Sequence, residues 1–308
     1  MFRIFLILIL ALAFIGCRDN HFKTGKYFAG GVYASAEQLN IGKSVYAEYC
    51  MACHGADGGG NGVASKGLVP PPRNFKLGIY KFGKVLAGDL PQDKDMVHII
   101  QNGLNGSAMF PWDISDDQAL AVWHYIKTFA PDVWDGKDKE IGTPLVAKND
   151  PYGLPRESFA IQKGKEVYHG IAQCQACHRA YVSKQELSDI NFKYSEERLT
   201  GDDFDDDLYE LKLQDSEHNY RSLPPDFTWH WVRSASSVED IYVRLLAGVN
   251  GSGMPSWKDT ITDEEIWAVS YYVKSLMEIK DSGERDSFMK AIEQSNSVFE
   301  GSSSIDGK

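Results

Sequence analysis

The 308-residue sequence predicts an all-α protein built as two tandem copies of one small helical domain. Three observations predict it. No stretch sustains an alternation of apolar and polar residues, so almost no sheet is expected. One block recurs: Gly42-Lys43-Ser44-Val45-Tyr46 before Cys50-Met51-Ala52-Cys53-His54 matches Gly164-Lys165-Glu166-Val167-Tyr168 before Cys174-Gln175-Ala176-Cys177-His178. Each copy also ends in a helical pattern opened by a capping box, Ser115 to Gln118 in one and Thr262 to Glu265 in the other.

From the N-terminus, residues 1–16 carry one basic residue, Arg3, then an apolar run from Ile4 to Ile15. A spanning helix needs about 20 apolar residues. This shorter run fits the h-region of a secretory signal. Gly16 directly before Cys17 resembles the lipobox of bacterial lipoproteins, although Phe14 stands where that pattern usually has Leu. The resemblance implies lipidation of Cys17. An ordinary signal peptide or an uncleaved anchor are the alternatives, and all three export the chain. Residues 17–35, polar and holding Gly25, Gly30 and Gly31, read as a tether.

A first domain is expected over 36–134, with helices over 37–52, 95–102 and 119–129. A second is expected over 156–280, with helices over 159–176, 238–248 and 266–277. The last helices match at a constant offset: Val122 with Val269, Tyr125 with Tyr272, Lys127 with Lys274. Acids in their first turn and a lysine near the end suit the helix dipole. Pro131 closes the first of them. Between the copies, 135–155 has linker composition, with Gly136, Gly142, Pro144, Pro151, Gly153 and Pro155.

The copies differ by insertions. His54 to Met109 spans 55 residues and His178 to Met254 spans 76. Most of the excess falls in 180–222 of the second copy, and a shorter gain in 78–93 of the first. Within the larger insertion, 201–210 reads GDDFDDDLYE. The calcium-loop pattern of oxygen ligands and a turn glycine is absent. A solvated acidic insert is expected, or a docking patch for a basic partner whose binding weakens with salt. Residues 281–308 are polar and Ser-rich and read as a disordered tail.

Composition narrows the function. Apolar residues at 43% and charged residues at 24% are a globular mix. A mean hydropathy of −0.33 excludes a multi-span membrane protein. A formal charge of −11 argues against nucleic acid and suits a basic partner.

Both copies carry C-x-x-C-H. Two thiols three residues apart can meet the two vinyl groups of one haem, and the adjacent histidine then lies beneath the iron. A thioredoxin-like pair belongs beside a βαβ pattern, which is missing. A four-cysteine zinc site leaves the histidines unexplained. Covalent haem c is therefore expected twice, on Cys50 and Cys53 with His54, and on Cys174 and Cys177 with His178. Four of the five cysteines are consumed, and Cys17 is the lipid anchor.

The second axial ligand is sought among seven methionines. Only Met109 and Met254 recur in one context, Asn-Gly-Ser-x-Met, with proline and tryptophan following. Met/His ligation raises a haem potential relative to bis-His. His98, His124 and His169 have no histidine at the matching repeat position and read as packing or surface residues. His21, His218 and His230 have no motif context.

At these residues the chain resembles class I cytochromes c, in plan a tandem dihaem member like the cytochrome c4 group. The resemblance implies a small helical fold around each haem and electron transfer as the activity. It implies Cys50, Cys53, His54 and Met109 around haem one, and Cys174, Cys177, His178 and Met254 around haem two. It also implies a proline carbonyl on the proximal imidazole, from Pro71 or Pro72 and from Pro224 or Pro225. The expected protein is a carrier, not an enzyme, lipid-anchored on the periplasmic side of a bacterial membrane and meeting redox protein partners. The alternatives are a dihaem peroxidase and a fixed electron-entry subunit of a membrane complex.

Overall fold

The computed structural model describes residues 21–303, with side chains to residue 300. Helices α1 (Ala36–Val45), α2 (Asp93–Asn102) and α3 (Asp116–Lys127) build the first copy. Helices α4 (Glu157–Glu166), α5 (Lys184–Ser195), α6 (Val238–Ala247) and α7 (Asp263–Glu278) build the second. Helix α8 (Gly283–Ser303) follows. The first and last helices of each copy cross, α1 on α3 and α4 on α7. Both expected capping boxes form, and Ser237 with Asp240 makes another at α6. The all-α expectation holds.

Each crossing explains the glycine that opens the recurring Gly-Lys-x-Val-Tyr block. A Cβ on Gly42 would lie 2.0 Å from the Ala121 carbonyl oxygen, and one on Gly164 would lie 2.0 Å from that of Ala268. Backbone touches backbone there, which only glycine permits. Around these contacts lie two cores. One holds Phe28, Leu39, Tyr46, Val122, Trp123 and Trp134; the other holds Ala160, Tyr168, Ile241, Ile266, Val269 and Tyr272.

Several segments differ from expectation. The stretch read as a tether is folded from residue 21 onward. Strands β1 (Lys26–Phe28) and β2 (Val32–Ala34) pair antiparallel with Tyr27 opposite Tyr33. Phe28, Ala29 and Ala34 are fully buried, and Lys26 pairs with Asp135 at 2.6 Å. The hairpin is too short for a periodic signal, and long-range burial stabilises it. The calls on residues 1–16, on Cys17 and on 304–308 lie outside the described residues.

The linker composition of 135–155 conceals an ordered strap. The amides of Gly136, Gly142 and Leu145 donate to the carbonyls of Tyr27, Leu90 and Lys84. Lys148 then pairs with Asp263 of the second copy. The tail is corrected too: α8 is a helix through Ser303. Phe288 and Met289 pack on the second core, and the Lys184 amide donates to Asn296 at 2.7 Å. Helical spacing of Phe288, Met289, Ile292 and Phe299 outweighs the serines.

The large insertion is more than a solvated acidic loop. It supplies α5 and a small core of Ala180, Val182, Leu187, Ile190, Phe204 and Leu208. The acids of 201–210 are exposed, while Phe204 and Leu208 between them are buried. The smaller insertion, 78–93, forms the seam between copies. Its Ala87 amide donates to the Ala247 carbonyl at 2.8 Å, and Gly88 donates to Asn250 at 3.0 Å. Arg244 donates to the Phe82 and Gly83 carbonyls across the same seam.

Candidate functional site

In both copies the first helix widens into a π turn just ahead of the motif, over Tyr46–Cys50 and over Val167–Ile171. Such widened turns cluster at functional sites. The turn re-aims the chain so that the motif leaves the helix axis. Cys53 and His54 then sit on the helical turn Met51–His54, and Cys174 opens the turn Cys174–Ala176.

Three contacts fix each motif histidine, and they repeat. The His54 Nδ1–H donates to the Arg73 carbonyl at 3.1 Å, and that of His178 donates to the Pro225 carbonyl at 3.3 Å. A carbonyl only accepts, so Nδ1 carries the proton and the Nε2 lone pair is left for a ligand. Phe75 stacks on His54 at 4.4 Å between centroids, and Phe227 stacks on His178 at 4.9 Å. The hydroxyl of Tyr46 donates to the Gly55 carbonyl, and that of Tyr168 to the Arg179 carbonyl, in each case the residue after the histidine. The second copy adds an ion pair, Arg179 with Asp226 at 3.1 Å, which ties the motif to the loop that holds the imidazole.

Pro225 is one of the two prolines expected beside His178. In the first copy the expectation of Pro71 or Pro72 is corrected, because Arg73 supplies the carbonyl. The stacked rings explain the shift. Counted back from Phe75 and Phe227, Arg73 and Pro225 occupy the same place. Backbone position decides the bond, not the proline ring. Phe75, Phe227, Tyr46 and Tyr168 were visible in the repeat, but nothing local marked them as supports for the histidines.

Electrostatics suit a neutral site. Burial pushes the His178 imidazole down to about 4 and lowers that of His54 as well. Both stay neutral at pH 7, the form that ligates a metal. Burial pushes the Cys50 and Cys174 thiols up to about 12. This is opposite to the depressed thiol of a redox-active pair. Cys50, Cys53, Cys174 and Cys177 are all unpaired.

Met109 and Met254 lie on turns after α2 and α6 that share one hydrogen-bond pattern. Leu104 N–H donates to the Met109 carbonyl at 2.8 Å, and Val249 N–H to that of Met254 at 3.1 Å. Ser107 and Ser252 hydroxyls accept from the methionine amides. Both methionines are half-buried. Trp112, three residues past Met109, packs on Tyr49 at 5.3 Å and so brings the first turn against the motif segment. Two thiols, a neutral imidazole and a thioether per copy suit haem c in donor chemistry. Of the other histidines, His98 is exposed, His124 pairs with Asp93, and His169 accepts from the Tyr181 amide.

Two helical units with this repeated arrangement make the chain a c-type cytochrome of tandem cytochrome c domains. The sequence model of the family described as cytochrome c oxidase, cbb3-type, subunit III, matches residues 37–126 and 159–273, about two thirds of the chain. The chain belongs to that family, and membership implies covalently bound haem c. Among solved structures, a chain of the reducing HAO-like protein complex of Kuenenia stuttgartiensis is similar, with 30% identity and a TM-score of 0.60. The match covers 77% of this chain and 95% of that one. No curated protein matches the sequence.

Proposed function

We propose that the chain carries single electrons between redox proteins on two haems c. Cys50, Cys53, His54 and Met109 hold one, and Cys174, Cys177, His178 and Met254 hold the other. The observation that carries the reading is the repetition: in both copies a half-buried neutral imidazole, fixed by a carbonyl and a phenylalanine ring, stands beside unpaired thiols spaced three apart. Bound haem supplies a one-electron Fe(II)/Fe(III) couple. The chain's own residues do the rest. The cysteines attach, His54 and His178 ligate, and Arg73 and Pro225 orient the imidazoles. Met109 and Met254 would be the further ligands, and a fully protein-ligated iron would suit a carrier rather than an enzyme.

Met254→Ala tests this. Haem two's spectrum and potential should change while haem one's stay. No change in either overturns the ligand set. Rapid peroxide turnover by the reduced protein would favour the peroxidase reading instead.

The apolar run before Cys17 supports export and lipid attachment on the periplasmic side of a bacterial membrane. Cys17→Ser should move the protein from the membrane to the soluble fraction. A second reading is a fixed subunit of a redox assembly. The likeness to a chain of the HAO-like complex supports it. Stoichiometric copurification from membranes, stable to salt, separates it from a free carrier.

A further inference from the structure

Three cations gather where the copies meet. Arg73 and Lys81 come from the first copy and Arg233 from the second. Lys81 is 9% exposed, and its ammonium stands 5.0 Å from the centre of the Tyr220 ring. The Tyr220 hydroxyl lies against the Arg73 guanidinium. His218, 4% exposed, sits within reach of the charges of Arg73 and Lys81. Its Nε2–H donates to the Asn250 carbonyl at 3.0 Å, while its buried Nδ1 has no partner among the described residues.

Among the described residues, no carboxylate pairs with Arg73, Lys81 or Arg233. Burial and the repulsion of Arg73 and Arg233 push the Lys81 ammonium down to about 8. Burial lowers both guanidinium groups as well. A buried ammonium between two half-buried guanidinium groups is costly unless an anion joins them. A guanidinium fork beside an ammonium and a hydroxyl is suited to a carboxylate. Burial and the charges of Arg73 and Lys81 push the His218 imidazole down to about 4, so the neutral ring adds no further charge to the cluster.

The position of the cluster names the anion. Arg73 offers its carbonyl to His54 and its side chain to the cluster. The site is thus one residue from a proximal ligand, and the anionic groups of a haem are its propionates. We propose that Arg73, Lys81, Arg233 and Tyr220 form a carboxylate site for a propionate of the haem attached at Cys50 and Cys53. Tyr220 belongs to the second copy's insertion, which therefore completes the first copy's haem site. The proposal rests on the two-haem reading above.

Lys81→Met and Arg233→Gln in the full-length holoprotein test it, with Lys81→Arg as the conservative control. Haem per chain is counted by pyridine haemochrome, potentials by spectroelectrochemical titration, and propionate bending by resonance Raman. The component unaffected by Met254→Ala identifies haem one. Removing a cation leaves the propionate uncompensated and favours ferric iron, so haem one's potential falls and its propionate band moves. Haem two's potential holds, haem content stays at two, and Lys81→Arg behaves as the parent. Two haems with haem one unmoved in both variants, or a shift confined to haem two, overturns the site alone. A parent protein without covalent haem overturns the two-haem reading, and the site with it.

Discussion

A methyl group added at Gly164 has no room. An alanine Cβ there would stand 2.0 Å from the Ala268 carbonyl oxygen, 2.5 Å from its carbon and 2.8 Å from Tyr272 Cβ, where ordinary contact begins at 3.4 Å. Two of those atoms are backbone of α7, so no side chain can swing aside. The helices must part by more than an ångström, and the core between Ala160, Val167, Tyr168 and Val269 loosens. Forced overpacking costs about 3 kcal/mol at the upper end of its usual range. Alanine's better helix propensity offsets about 1 kcal/mol of that. A net loss of about 2 kcal/mol follows. Guanidinium unfolding followed by far-ultraviolet circular dichroism reads it, and Gly42→Ala should behave alike. Gly283→Ala is the control, because nothing lies within 4 Å of its added Cβ. That change should be neutral or stabilising. A Gly164→Ala protein as stable as its parent would refute the close crossing.

The remaining predictions concern the seam and the buried histidine. Arg244 is 7% exposed and donates to the carbonyls of Phe82, Gly83 and Gly248 at 3.0–3.2 Å. Arg244→Met strands these acceptors and should remove about 3 kcal/mol. Calorimetry should show the single transition splitting as the copies uncouple, and one unshifted transition contradicts the clamp. Burial pushes His169 down to about 3, whereas an unfolded histidine titrates near about 6.5. The unfolded chain therefore binds the proton first as pH falls. His169 contributes full stability above about 6.5 and loses it toward 3, by about 1.4 kcal/mol per pH unit. Between pH 6.5 and 4.5 the parent should lose about 2–3 kcal/mol more than His169→Gln, whose amide can keep both hydrogen bonds. Equal slopes for the two proteins would discard that account.

Much of the fold was legible before any coordinate. Ser115 and Thr262 announced their helices because capping is local chemistry between residues three apart. The constant offset of Val122, Tyr125 and Lys127 from Val269, Tyr272 and Lys274 announced a duplicated unit. The paired motifs and the paired methionine turns were legible for the same reason. The misread segments share a cause. Phe28, Phe204 and Phe288 each sit among glycines, acids or serines, and composition averaged them away. Their burial depends on partners far along the chain.

What the sequence by itself determined is the local and repeated part: helices, caps, and the spacing of two thiols and a histidine. These follow from interactions within a turn or two, so neighbouring residues encode them. Only the tertiary structure decided which carbonyl holds His54, because Arg73 reaches it through a loop whose register is set by the Phe75 stack. Only it decided that 78–93 and 214–222 meet at the seam, where Arg73, Lys81 and Arg233 are brought together with no acid among the described residues. Charges that distant in sequence repel or pair according to packing, and packing is not written in any one segment.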